Sequence, residues 1–254
     1  MKRREILMGS AAWAAMLGVS PSAAWAMGDE DRLRLAMLRP ARGATSPREG
    51  ATRRLLQELE KRTSVHVDPG VEVVDIGPEM FEAPFLILSG ERGFDPWSVE
   101  QVDMLRTYLQ AGGFLLVDAS SGVSEGPFMS SVLRELGRIF PDEALSPVAK
   151  GHVLYKSFYL LDRAYGRVSA TEHMDAIVQG DRLPVVVSYN DLLGAWARDS
   201  FGNWEYDVVP HGDFQRERAF RLGINLVMYA LCVNYKEDQV HIPFILKRRR
   251  WKVE

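Results

Sequence analysis

Cysteine is nearly absent from this 254-residue chain, and Cys232 alone cannot close an internal disulfide. No Cys/His cluster has the spacing of a zinc site. A dominant charge is also missing: 31 Lys+Arg face 34 Asp+Glu, and a net charge of −3 leaves no whole-chain footprint for nucleic acid. No Gly-x-Gly-x-x-Gly loop follows a predicted strand, so the dinucleotide fingerprint is lacking. With 46% hydrophobic and 26% charged residues, a disordered or collagen-like chain is excluded. The apolar run Ile6 to Val19 falls short of the roughly 20 residues that span a bilayer.

That run has a different meaning. Lys2-Arg3-Arg4 precedes it and Ala24-Trp25-Ala26 follows as an A-x-A cleavage site, so residues 1–26 read as an export signal cut after Ala26. Arg3-Arg4-Glu5-Ile6-Leu7 has the arrangement of a twin-arginine signal, and the expected location is the periplasm. An ordinary secretory signal and a retained N-terminal anchor are the alternatives. Cleavage leaves 228 residues and removes three cations and one anion, which moves the net charge from −3 to −5.

The mature chain reads as one α/β domain over 27–240, followed by a basic tail over 241–254. Leu33 to Leu38 is a first strand, and Thr52 to Arg62 an amphipathic helix with Leu55, Leu56 and Leu59 on one face. Val65–Val67 and Val71–Val74 look like short strand pieces. Phe85-Leu86-Ile87-Leu88 and Phe114-Leu115-Leu116-Val117 are continuous apolar runs, as expected of strands buried on both faces of a parallel sheet. Between them Asp95-Pro96 predicts a helix start, Val99, Val102, Leu105 and Leu109 a helical face, and Gly112-Gly113 a stop. Phe128 to Ile139 predicts another helix. Ile177-Val178 and Val185–Val187 predict a strand pair near the sheet edge, since Pro184 argues against a central place. Leu192 to Asp213 reads as a loop, and Phe220 to Leu231 as a long helix in which Cys232 is expected to be buried.

An ordered set of segments now resembles a known family. It comprises Phe85–Gly90, Leu105-Arg106-Thr107-Tyr108-Leu109, Gly112-Gly113 through Asp118, His152 before Tyr155 and Phe158, Trp196, Leu222-Gly223-Ile224-Asn225, and Tyr235-Lys236 with Asp238-Gln239-Val240-His241. Over nearly all of 31–250 these are similar to the bacterial domain-of-unknown-function family 4159. The resemblance implies a three-layer flavodoxin-like domain, with a mainly parallel central sheet flanked by helices, related to class I glutamine amidotransferase-like proteins. It supplies no activity; larger relatives occur with membrane-anchored and von Willebrand A-type partners. Amidotransferases of that superfamily place a cysteine nucleophile on a turn after a central strand. Here the matching strand ends at Asp118-Ala119-Ser120-Ser121, and Cys232 lies on the last helix, so cysteine-dependent amidotransfer is not expected.

In open α/β sheets ligands sit beyond the carboxyl ends of the strands. Ser89, Gly90, Asp118 and Ser120 are therefore ligand-binding candidates, as are His152, Tyr155, Trp196 and His211. Asp118 either orients a ligand or caps the next turn; Ser120 lacks the Gly-x-Ser-x-Gly surroundings of a nucleophile elbow. If the protein is an enzyme, Asp118 and His152 are its acid–base pair. Trp196, Trp204 and Tyr206, with Asn190, Asp191 and Asn203, form a polar-aromatic segment that is either a loop pinned to the domain by its tryptophans or a surface suited to sugar or peptide contact. Lys247 to Lys252 carries five cations around Trp251, a composition suited to an anionic membrane surface or acidic partner. The expectation is a non-catalytic binding or interaction domain with no cofactor and no resident metal, whose partner is a protein or cell-envelope ligand. The alternative is a periplasmic hydrolase of cell-wall or carbohydrate material using Asp118 and His152, with or without a metal.

Overall fold

The computed structural model describes residues 32–40 and 48–249, with backbone only at 49 and 233–249. The segment 1–26 expected as an export signal and the tail end 250–254, including Trp251 and Lys252, lie outside the described residues. Seven strands form one sheet: β1 (Leu35–Leu38), β2 (Glu72–Val74), β3 (Phe85–Gly90), β4 (Phe114–Ala119), β5 (Ser146–Pro147), β6 (Asp175–Gln179) and β7 (Arg182–Ser188). Their order is β2-β1-β3-β4-β7-β6-β5. The first five run parallel, β6 is antiparallel to β7, and β5 is antiparallel to β6. The helices are α1 (Glu49–Arg62), α2 (Val99–Gln110), α3 (Pro127–Ile139), the short α4 (Leu192–Trp196) and α5 (Gly212–Arg249).

The apolar strands bury both faces. Alternation along β4 sends Leu116 into one core with α1, α4 and α5, and Leu115 and Val117 into another with α2 and α3. Both residues of each pair of continuous runs are thus consumed, which is why these strands carry no polar face. The predicted strand–helix–strand unit is β3-α2-β4. Its helix starts later than Asp95-Pro96 suggests: Ser98 caps it, accepting from Gln101 N while Gln101 Oε1 accepts from Ser98 N, a capping box.

Several expectations change. The stretch Leu192–Asp213, expected as a loop, begins with the helix α4 and ends in the first turn of α5. β7 lies between β4 and β6, not at an edge, and β5 is outermost. Pro184 is tolerated because the β6–β7 register shifts there: Leu183 and Pro184 together face Val178, so the proline sits in a bulge of β7. Cys232 is exposed, because the buried face of α5 ends near Ala230. The helix also runs past residue 240 to Arg249, so Lys247, Arg248 and Arg249 continue it. No described helix is long and apolar enough to cross a membrane.

Candidate functional site

Strand register sets a polar row across the carboxyl end of the sheet. Ser89 of β3 aligns with Asp118 of β4, and Asp118 with Ser188 of β7, all three buried. Parity places the row on the face shared with α1, α4 and α5. Ser89 Oγ and Ser120 Oγ share one hydrogen bond at 2.8 Å. Gly90 has no room for a side chain, since a Cβ there would stand 2.4 Å from the Phe128 ring.

Asp118 is fully buried, and both its oxygens are taken. Leu192 N donates to Oδ1 at 2.8 Å and Leu193 N to Oδ2 at 3.0 Å, so this carboxyl ties β4 to the first turn of α4. Burial and then the neighbouring Asp191 carboxylate push it up to about 7, against the pull of those amides and of the Ser188 hydroxyl.

Asp191 links three elements. It sits at φ 50°, ψ 62°, buried, at the start of α4, where Gly194 N donates to Oδ1 at 3.0 Å. Arg48 grips it bidentately, Nε to Oδ1 and Nη2 to Oδ2, both at 2.8 Å. Arg167 Nε also bonds Oδ2. Burial raises Asp191, and the two guanidiniums oppose that rise. Arg48 itself has φ 66°, and these two are the non-glycine residues with positive φ among those described. Strained backbone persists where surrounding contacts over-determine it, and here the strained residues hold one another. The Arg48 guanidinium also donates to Ser120 O at 3.2 Å and lies 4.0 Å above the Tyr206 ring. Asn190 pins the loop before β6: its Oδ1 accepts from Ala170 N (2.8 Å) and Thr171 N (2.9 Å), and its Nδ2 donates to Thr171 O.

The remaining sequence candidates fall elsewhere. His152 Nδ1 accepts from Leu154 N at 3.1 Å, and its ring lies 5.8 Å from Tyr229. The Tyr229 hydroxyl accepts from Leu183 N at the start of β7, and its ring contacts Phe114 at the start of β4. His152 therefore belongs to the amino end of the sheet. Phe114 and Asp118 are four residues apart on β4, about 13 Å. The structure does not bring His152 to Asp118. Tyr155 is buried and accepts from Met174 N through its hydroxyl. Trp196 is fully buried, stacked 6.2 Å from Phe220, so it is core and not a ligand surface. His211 is exposed just before α5, its N–H directed at Gln215 Oε1.

Most segments that carried the resemblance also serve packing. Gly223 makes room for Trp196 and Leu55, since a Cβ there would meet them at 2.4 and 2.8 Å. Asn225, fully buried, accepts from Phe158 N and Tyr159 N and donates to Tyr159 O, clamping that loop to α5. The Tyr108 hydroxyl donates to Ala83 O at 2.8 Å.

Sequence reasoning missed Arg48 and Arg167, for which no local pattern exists, and took Asp191 only as part of a loop; an acidic residue three before a glycine was its available signal. It also passed over Gly122-Val123-Ser124-Glu125-Gly126, which has Gly-x-Ser-x-Gly spacing. An elbow puts the serine on a sharp turn between strand and helix. Here seven residues separate β4 from α3, and exposed Ser124 bonds no histidine among the described residues. His173 Nε2 approaches Asp175 Oδ1 at 3.4 Å, and the Tyr189 hydroxyl donates to Asp175 Oδ2 at 2.6 Å, a second polar cluster. No group of three or more His, Cys, Asp and Glu among the described residues has metal-holding geometry.

A family model described as a domain of unknown function (DUF4159) matches residues 34–231, which stops short of Tyr235–His241. No curated protein matches. Among solved structures, α-L-fucosidase isoenzyme 2 from Paenibacillus thiaminolyticus aligns at 15% identity and a TM-score of 0.33. The alignment covers 81% of this chain and 33% of that one, so the chain spans about a third of the enzyme's length.

Proposed function

The chain belongs to the domain-of-unknown-function family DUF4159, and we propose that it is an exported, non-catalytic binding domain on a three-layer flavodoxin-like, amidotransferase-like scaffold. One observation carries the reading. At the carboxyl edge, where an enzyme of this architecture needs a free nucleophile or base, Asp118 has both oxygens bound by Leu192 and Leu193 N–H. Ser89 and Ser120 hold each other, and the single thiol lies on α5. The parallel order β2-β1-β3-β4-β7 supports the scaffold. His152, the partner a hydrolase would require, sits toward the other end of the strands.

The binding surface we propose is the edge loop after α4. Asp199 Oδ1 accepts from Phe201 N and Asn203 N, which stiffens the turn, and Phe201 stands 89% exposed at its tip. Trp204 lies between Arg198 and Arg216, 4.0 and 4.1 Å from their guanidinium carbons. A rigid aromatic on a fixed turn gives contact area with little ordering cost. Murein fragments, soluble glycans and peptides are the panel to screen for saturable binding and for turnover in the same samples. Saturable binding weakened in Phe201→Ser, without turnover, is expected. Turnover abolished in Asp118→Asn would overturn the reading. Export has its own test: lysine at positions 3 and 4 should leave the precursor in the cytoplasm, and normal maturation would eliminate the twin-arginine route. The basic segment Lys247–Lys252 is the proposed contact to an anionic surface. Co-sedimentation with phosphatidylglycerol vesicles, lost on deleting 247–254, tests it.

A further inference from the structure

We infer that Arg48 and Arg167 form an oxyanion site at the carboxyl end of β4, which takes the carboxylate or phosphate group of a small ligand. The inference rests on the binding reading above and names the ligand chemistry for it.

Charge comes first. Two guanidiniums share the single carboxylate of Asp191, while Asp118, the other buried acid nearby, turns both oxygens to the amides of α4. With Asp118 protonated, the two guanidiniums share one buried carboxylate, and the next acid, exposed Glu205, is held on the Tyr206 hydroxyl. Donors come second. Arg167 uses Nε on Asp191, and its Nη1 and Nη2 have no hydrogen-bond partner among the described residues. The free Nη pair of Arg167 is the end-on fork that matches a carboxylate or phosphate.

Placement comes third. The Arg167 side chain is 23% exposed, so its outer edge reaches solvent, whereas Arg48 is 9% exposed and backs it. Arg48 bonds Ser120 O, and a Cβ at Gly122 would stand 3.6 Å from Arg167 Nη2, so residues 120–122 form a wall beside both arginines. Gly122 has φ 71°, a conformation that suits glycine and lets the wall turn back over the strand end. The Tyr206 ring lies 4.0 Å from Arg48 and 5.9 Å from Arg167, and Glu205 holds its hydroxyl at 2.7 Å. Both guanidiniums are thus oriented before any ligand arrives, which removes most of the ordering cost of binding. The site lies where open α/β sheets receive ligands.

The test uses the purified full chain, with thermal midpoint and calorimetric titration against inorganic phosphate and against succinate, at ionic strength held constant with chloride. Saturable binding of one probe is expected, and the arm that saturates identifies phosphate or carboxylate as the group taken. Arg167→Gln should weaken it by about tenfold or more, the loss of a charge-assisted bond pair. Ser121→Trp, at an exposed position between the two wall contacts, should block it without touching the core. Arg167→Lys keeps the charge and loses the fork, so it should bind less well than the native protein. Neither probe exceeding chloride, or Ser121→Trp and Arg167→Gln titrating like the native protein, would overturn the site. Flat titrations with no turnover on the glycan and peptide panel would remove this site alone; Asp118-dependent turnover would remove the binding reading instead.

Discussion

Asp118→Asn tests the buried polar row most directly, because its effect should change sign with pH. In the folded protein the carboxyl titrates near 7, raised from an ordinary 3.8 by burial and by Asp191. Between those values the native state holds a proton that the unfolded chain has released. Stability contributed by this group is therefore complete below about pH 4 and falls as pH rises toward 7. At about 1.4 kcal/mol per pH unit, the loss accumulates to about 4 kcal/mol. Asparagine removes that slope. It also offers one acceptor where the carboxyl offers two, so either Leu192 or Leu193 N–H loses its partner, at about 1–3 kcal/mol. The variant should be the less stable protein in acid and the more stable one above neutrality, with the curves crossing between about pH 4.5 and 6. Urea unfolding of both proteins from pH 4 to 8.5 measures the difference, and groups remote from Asp118 cancel, leaving Asp118 and its neighbour Asp191. A stability difference that stays constant across that range would refute the argument that Asp118 is a protonated, capping carboxyl.

Asp191→Ala should cost about 3–5 kcal/mol by chemical denaturation, since it leaves Arg48 and Arg167 without their shared partner; a loss below about 1 kcal/mol would show that the arginines find another. Gly223→Ala should destabilise by about 1–3 kcal/mol and lower the midpoint of thermal unfolding, because the added methyl meets Trp196 and Leu55; an unchanged midpoint would mean that the α4–α5 contact yields freely. Cys232 should react stoichiometrically with a thiol reagent in the native protein, without denaturant, and protection until unfolding would contradict its exposure on α5.

Local pattern made the framework legible. Continuous apolar runs at Phe85–Leu88 and Phe114–Val117 identified strands buried on both faces, and the spacing of Leu55, Leu56 and Leu59 identified α1. These features depend on neighbours in sequence, so sequence suffices to read them. Pro184 misled because its cost depends on whether it falls in the ladder, and the bulge of β7 that contains it is a property of pairing. Trp196 reads from the sequence either as a ligand surface or as a pin for its segment, and a glycine 27 residues later, by opening the space that buries it, decides for the pin.

The site divides in the same way. Sequence by itself determined that Asp118 stands at the end of a buried strand, that the only thiol is remote from it, and that no dinucleotide loop is present. Tertiary structure alone decided what Asp118 does, because its partners are amides 74 and 75 residues away. It alone joined Arg48 to Asp191 across 143 residues and Arg167 to Asp191 across 24. A charge network has no periodicity and no fixed spacing. Its members are chosen by where strand ends meet in space, and sequence order carries no record of that.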